Sequence, residues 1–243
     1  MRNVPGQKGL SLVEATIILF VLMLLTSVLA PSISGFVRDA QWVKVKADCE
    51  AIGVSISRLS WDVGPCLKKV AAIGCINSNR VDVLQSLGSV VLVDLTAAPD
   101  VIWVNSEMVS ANWNSGTNID TMESQLVTNG PNYKTPHENF AASGSYPAGP
   151  LFGVGWRGAY LSSPIGPDPW GSKYLVNTGF MTTTMDAAPR GLEGNRKRWW
   201  ERDVTCVSPG PNQVIETPFF GGVNRGTSRT NDDFVFVISG SGR

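Results

Sequence analysis

The chain has 243 residues, enough for one large domain or two small ones, and its 43% hydrophobic content argues against global disorder. Lys+Arg 20 against Asp+Glu 20 gives no net charge, which argues against a nucleic-acid binder held by a broad basic surface; charged residues, at 16%, fall below the roughly 25% of a typical soluble domain. A single histidine, His137, argues against His-based catalysis and multi-His metal sites, and four cysteines fit one or two disulfides in an oxidising compartment.

The first nine residues are polar, carry Arg2 and Lys8, and end in Gly9. Residues 15–37 then contain no charge, a run long enough to cross about 30 Å of hydrocarbon as a helix. The only charge in residues 10–37 is Glu14. A secretory signal peptide would need a small-residue cleavage site, and Ser27-Val28-Leu29-Ala30 offers a poor one. A plain membrane anchor, with Arg2 and Lys8 holding a short N-terminus in the cytoplasm, is a second reading.

A third reading rests on position. Lys8-Gly9-Leu10-Ser11-Leu12-Val13-Glu14 resembles the prepilin peptidase site of type IV pilins and type II secretion pseudopilins. The resemblance implies cleavage between Gly9 and Leu10 and N-methylation of Leu10, where the family usually has Phe. Glu14 then stands fifth from the new N-terminus, where the family keeps its glutamate. Pro31 falls where the family keeps a helix-kinking proline. A carboxylate at a membrane helix is costly unless paired. Cleavage would expose a positive amine on Leu10, which in a filament can meet Glu14 of a neighbouring subunit and set register.

Beyond the membrane run the pattern stays helical to Asp62. Phe36, Ala40, Val43, Ala47, Ala51 and Val54 recur at three- and four-residue intervals, interrupted only by Pro31, Gly35 and Gly53. One spine helix over residues 10–62 follows, ended by Gly64 and Pro65. In residues 63–155, a variable head region, Leu84-Gln85-Ser86-Leu87 reads as a short helix and residues 90–95 and 101–104 as strands. Residues 112–146, rich in Asn, Ser, Thr, Gly and Pro, read as loop, with His137 solvated inside it.

The C-terminal third, residues 156–243, carries a second resemblance. Asp168-Pro169-Trp170-Gly171-Ser172-Lys173-Tyr174 is similar to a segment of the major pseudopilin of type II secretion. Read physically, it is a turn feeding a strand, with Trp170 and Tyr174 placed to cap a helix–sheet core. The strand and turn at residues 203–212, and the Asp232-Asp233 step into an aromatic and β-branched run, resemble the same family. There, acidic turns and backbone carbonyls hold calcium. The resemblance therefore implies Ca²⁺ at Asn212, Asp232 and Asp233, hard oxygen ligands that suit the ion, with Asn212 standing where the family has aspartate. The alternative is that the two aspartates are turn residues only.

Residues 189–202 combine Arg190, Arg196, Lys197, Arg198 and Arg202 with Trp199 and Trp200. Such a segment can stack single-stranded nucleic acid, pack on the head as a solvent loop, or contact another subunit. Cys66 and Cys75 flank a loop and form the favoured disulfide, leaving Cys49 with Cys206; four cysteines allow three connectivities. The expected fold is α+β, a long N-terminal helix on a small antiparallel sheet, in the manner of type IV pilins. The expected role is structural rather than enzymatic: a pseudopilin anchored once in the inner membrane, its head in the periplasm. Its partners would be copies of itself and other pseudopilins, the prepilin peptidase, the inner-membrane assembly platform and, before assembly, the bilayer. A type IV pilin or minor pilin, and a membrane-anchored enzyme or binding module, are the alternatives; an enzyme would need a convergent set of acid, base or nucleophile groups.

Overall fold

The structure is a computed structural model, and it describes residues 11–64, 66–74, 79–89, 91–93, 102–104, 107–109, 113, 118–136, 155–181, 204–217, 228–230 and 232–238. It divides into two units, Met1–Val43 and Lys44–Arg243. Helix α1, Leu12–Val63, contributes to both and runs helical through Pro31, Gly35 and Gly53.

Helix α1 begins on a reciprocal cap. The Ser11 backbone N–H donates to Glu14 Oε2 (3.0 Å) and the Glu14 N–H donates to Ser11 Oγ (3.2 Å), satisfying two of the helix's orphan donors. It ends at Gly64, whose φ of +100° is left-handed and whose N–H donates to the Ser60 carbonyl (3.0 Å).

In the first unit the helix keeps its apolar side chains exposed. Leu12, Val28 and Phe36 are 84%, 73% and 72% exposed, and among the described residues nothing lies within 4 Å of where a side chain on Gly35 would begin. The apolar window of α1 is long and greasy enough to cross a membrane, and none of it is buried.

In the second unit the helix changes character. Val45, Cys49, Ile52, Ile56 and Leu59 recur at three- and four-residue intervals and are all buried. They belong with a six-stranded sheet made of β1 (Val83–Gln85), β5 (Ile119–Thr121), β6 (Leu175–Val176), β7 (Val204–Ser208), β9 (Ser228–Thr230) and β10 (Asp233–Ile238), ordered β5-β1-β6-β7-β10-β9. Strand β7 lies between β6 (Val176 opposite Cys206) and β10 (Phe236 opposite Cys206), and all five of its residues are buried. Among the described residues there are also two small sheets: parallel β2 (Leu92–Val93) with β8 (Val214–Ile215), and the antiparallel pair β3 (Ile102–Val104) and β4 (Glu107–Val109).

The α+β layout matches the expectation, with corrections. The main sheet is mixed, not purely antiparallel, because β1 and β5 pair in parallel (Val83 opposite Ile119). Residues 83–85 form a strand instead of the expected short helix. The buried Arg80–Asp82 pair explains the misreading. The Arg80 guanidinium donates to both Asp82 oxygens (Nη2 to Oδ2, 3.0 Å) and Asn118 Nδ2 donates to Oδ2 (2.6 Å), so a polar residue sits inside at the edge of the strand. Within the stretch read as loop lie β5 and the short helix α2, Met122–Leu126. Thr121 caps α2, accepting from the Ser124 N–H, while Met122 and Leu126 are buried.

Close packing of α1 on β10 depends on Gly53. A side-chain carbon there would begin 3.2 Å from Ile238 Cγ1 and 3.2 Å from Phe236 Cε1.

Candidate functional site

Gly9 and Leu10 lie outside the described residues, as do Cys75, His137 and the basic segment 189–202. Glu14 is described, and its carboxylate is engaged by Ser11 in the cap of α1. The Ser11-x-x-Glu14 spacing announces that cap in the sequence, a local role beside the one the resemblance implies. Pro31 is held in helical backbone near the middle of the exposed apolar stretch.

The Asp-Pro-Trp-Gly segment folds as a turn feeding a strand. Asp168 is buried; its Oδ1 accepts from the Trp170 and Ser172 N–H groups (3.0 and 2.7 Å) and its Oδ2 from the Ser208 hydroxyl (2.8 Å). Burial pushes the Asp168 carboxyl up, and these donors pull it back down. Tyr174 is fully buried, and its hydroxyl donates to Asp48 Oδ2 (2.8 Å) on α1, so it joins helix to sheet as expected; Trp170 is half-buried.

The three residues named for calcium do not gather as one group. Asn212 and Asp232 pair with each other: the Asn212 N–H donates to Asp232 Oδ2 (3.1 Å) and its Nδ2 to Oδ1 (2.7 Å). Gly210, at φ +70°, lets this turn pass close to the Asp232 carbonyl, which would lie 2.2 Å from any side-chain carbon on it. Asp233 is buried elsewhere, among Glu216 and Thr217. Its Oδ2 accepts three bonds, from the Glu216 N–H (2.9 Å), the Thr217 N–H (2.7 Å) and the Thr217 hydroxyl (2.7 Å).

The opposite side of this carboxylate is different. Asp233 Oδ1 and Glu216 Oε2 are both buried oxygens with no hydrogen-bond partner. Burial pushes the Asp233 carboxyl up to about 6, three donors oppose it, and the Glu216 charge adds to the rise. Both orphaned oxygens are buried and hard, the type of ligand a hard cation takes. Among the described residues, no group of three or more His, Cys, Asp or Glu is drawn together. Glu216 was missed in the sequence because it follows the short strand β8, and it meets Asp233 through a long-range bond from its backbone N–H to the Asp233 carboxylate.

Cys66 is disulfide-bonded. The expected Cys49–Cys206 pair is brought together where α1 meets β7, with sulfurs 3.1 Å apart, as two buried thiols. That separation is a thiol contact, well beyond a covalent sulfur–sulfur bond of about 2.05 Å.

Comparison of the chain with protein-family models, with curated proteins and with solved structures gave no match.

Proposed function

We propose that this chain is a pseudopilin-like filament subunit, made as a precursor with a leader ending at Gly9 and anchored once in the inner membrane by α1. The observation that carries this is the change along one helix. Its first part is apolar and exposed, beginning at Glu14 just after a Lys8-Gly9-Leu10 step, and its second part is buried in the chain's own head. An apolar helix left exposed among the described residues belongs in lipid or against copies of itself, and a filament offers the second after the first. The role is mechanical: a short periplasmic filament of the type II secretion class that drives folded proteins across the outer membrane. The head would bind Ca²⁺ at Asp233 and Glu216, whose orphaned oxygens fit a hard cation. In this role the ion links the β8 end to β10 and takes no part in chemistry.

Mass spectrometry of the mature protein tests the reading. The expected N-terminus is Leu10 carrying one methyl group, and Gly9→Leu is expected to leave the precursor uncut. Cleavage after Ala30, or an intact N-terminus in cells that process other prepilins, would overturn it.

A further inference from the structure

We propose that Cys49 and Cys206 close a disulfide that ties the buried half of α1 to the centre of the sheet, and that it closes while the chain folds, before helix and sheet dock. Three observations carry it. The sulfurs are 3.1 Å apart, so bonding asks for only about 1 Å of movement. Cys206 sits mid-strand in β7, held by β6 on one side and β10 on the other, and Cys49 is flanked on the helix by Val45 and Ile52, so neither can drift from its partner. Cys66 is disulfide-bonded, so a second bridge asks for no redox condition that the first does not already need.

The order of events follows from burial. Both sulfurs are wholly enclosed, next to Tyr174 and its bond to Asp48. Thiol–disulfide exchange needs a thiolate and an in-line approach to the oxidant's sulfur. The closed core denies the approach. It also holds the Cys49 thiol well above its ordinary value, through burial first and then the Cys206 thiol and the charges of Asp48 and Asp168. In the open chain one thiolate attacks a small-molecule or protein disulfide R–S–S–R, forms a mixed disulfide and releases one R–SH. The second thiolate attacks the cysteine sulfur of that intermediate and releases the other R–SH. Two protons and two electrons pass from the cysteines to the oxidant, and one sulfur–sulfur bond replaces another. Once the core closes, the bond is shielded from reductants by the same walls.

The crosslink does not depend on filament assembly. Its mechanical use does rest on the filament reading: a pull along α1 would then be borne by a covalent tie to β7 as well as by packing.

The test uses the full chain in detergent, unfolded with reductant and then refolded in two ways. One arm refolds with oxidised glutathione present from the start. The other refolds in reductant and then meets oxidised glutathione. Alkylation under denaturing conditions and peptide mapping read the pairing. The first arm is expected to give a Cys49–Cys206 linked peptide and the second to leave both thiols alkylatable for hours. The first arm should melt roughly 10 °C above the second, given the long loop enclosed, and Cys49→Ala/Cys206→Ala should remove about that much of the gap. Free Cys49 and Cys206 in the first arm, or a link from either to Cys66, overturns the bridge. A linked peptide appearing within minutes in the second arm overturns the order of closure. Peptide mapping of the unsubstituted chain gives these answers even if the double variant does not fold.

Discussion

The two parts of α1 share one backbone and one residue alphabet, yet they are held by different things. From Leu12 to Val37 the apolar residues go all round the helix and are mostly exposed. After Lys44 they narrow to a stripe at Val45, Cys49, Ile52, Ile56 and Leu59, all buried, while Val54 and Trp61 on other faces are 52% and 55% exposed. A stripe is what a helix needs when one neighbour covers it, and an all-round apolar surface is what it needs when its surroundings are apolar on every side. The second part is therefore explained by the head it packs on, and the exposed apolar surface of the first part is long enough to cross a membrane.

The largest expected effect removes the charge at the head of the first part. Glu14→Leu should leave the subunit in the membrane and cut filament incorporation by about a hundredfold or more, from the roughly 3–5 kcal/mol cost of leaving a buried charge without its partner. Counting subunits in sheared filaments against total membrane protein checks it, and Glu14→Gln, which keeps a Ser11 acceptor, separates the cap from the charge. Next is a matched pair of truncations. Ile56→Ala should destabilise the head by about 2–5 kcal/mol and lower its melting temperature by roughly 5–15 °C, whereas Leu22→Ala should not move that transition. Equal shifts from the two would erase the contrast.

A smaller effect comes from the carboxylate pair. The folded pKa of Asp233 is raised to about 6, above its unfolded value, so its protonation favours the folded state at low pH and that stability is lost as pH rises through about 6. In chelator, the melting temperature should therefore fall between pH 5 and pH 7.5, and Asp233→Asn should flatten the fall. Calcium should restore a few degrees at pH 7.5, roughly 2–6 °C, and much less at pH 5, where protons compete for the same oxygen. Asp233→Asn and Glu216→Gln should each remove the calcium response, and Asp232→Asn should keep it. Identical melting of the unsubstituted chain in calcium and in chelator would show that no cation binds there. The smallest effect is local: Thr121→Ala should cost about 1 kcal/mol by leaving the Ser124 N–H without its cap, read as a shift in denaturant midpoint at constant slope.

How much of this the sequence disclosed depends on where each signal resides. Helix α1 was legible because its apolar run is a property of consecutive residues, but the stripe read from spacing, Phe36, Ala40, Val43, Ala47, Ala51 and Val54, lies on the exposed face, and the buried stripe is Val45, Cys49, Ile52, Ile56 and Leu59. Strands β7 and β10 were legible because Val204, Val207, Val235 and Val237 favour extended backbone and both strands follow or precede turn residues. Strand β1 was not, because Asp82 enters the core only with Arg80 beside it, and a charge beside Val81 and Val83 looks like a surface pattern. Helix α2 is five residues long and offers only Met122 and Leu126 as an apolar pair, too little periodicity to stand out from polar neighbours. The candidate site divides in the same way. Asn212, Asp232 and Asp233 could be named together from their turns, and in the fold Asn212 bonds to Asp232 while Asp233 bonds to Glu216 and Thr217. Glu216 and the separate bonding of Asp233 come from contacts sixteen and seventeen residues apart, which no local window contains.

Gly53 makes the joint between helix and sheet directional. Phe236 and Ile238 rest on bare backbone there, at a position where glycine costs a helix about 1 kcal/mol relative to alanine. Turning the helix by one residue, about 100°, would swing the side chain of Ile52 or Val54 into the space those two residues occupy. The joint behaves like a keyed shaft: it accepts one angular setting and rejects its neighbours. Strand β10, and not the hydrophobic stripe alone, thus decides that Val54 and Trp61 face outward, and a change at Phe236 would loosen the angle before it loosened the fold.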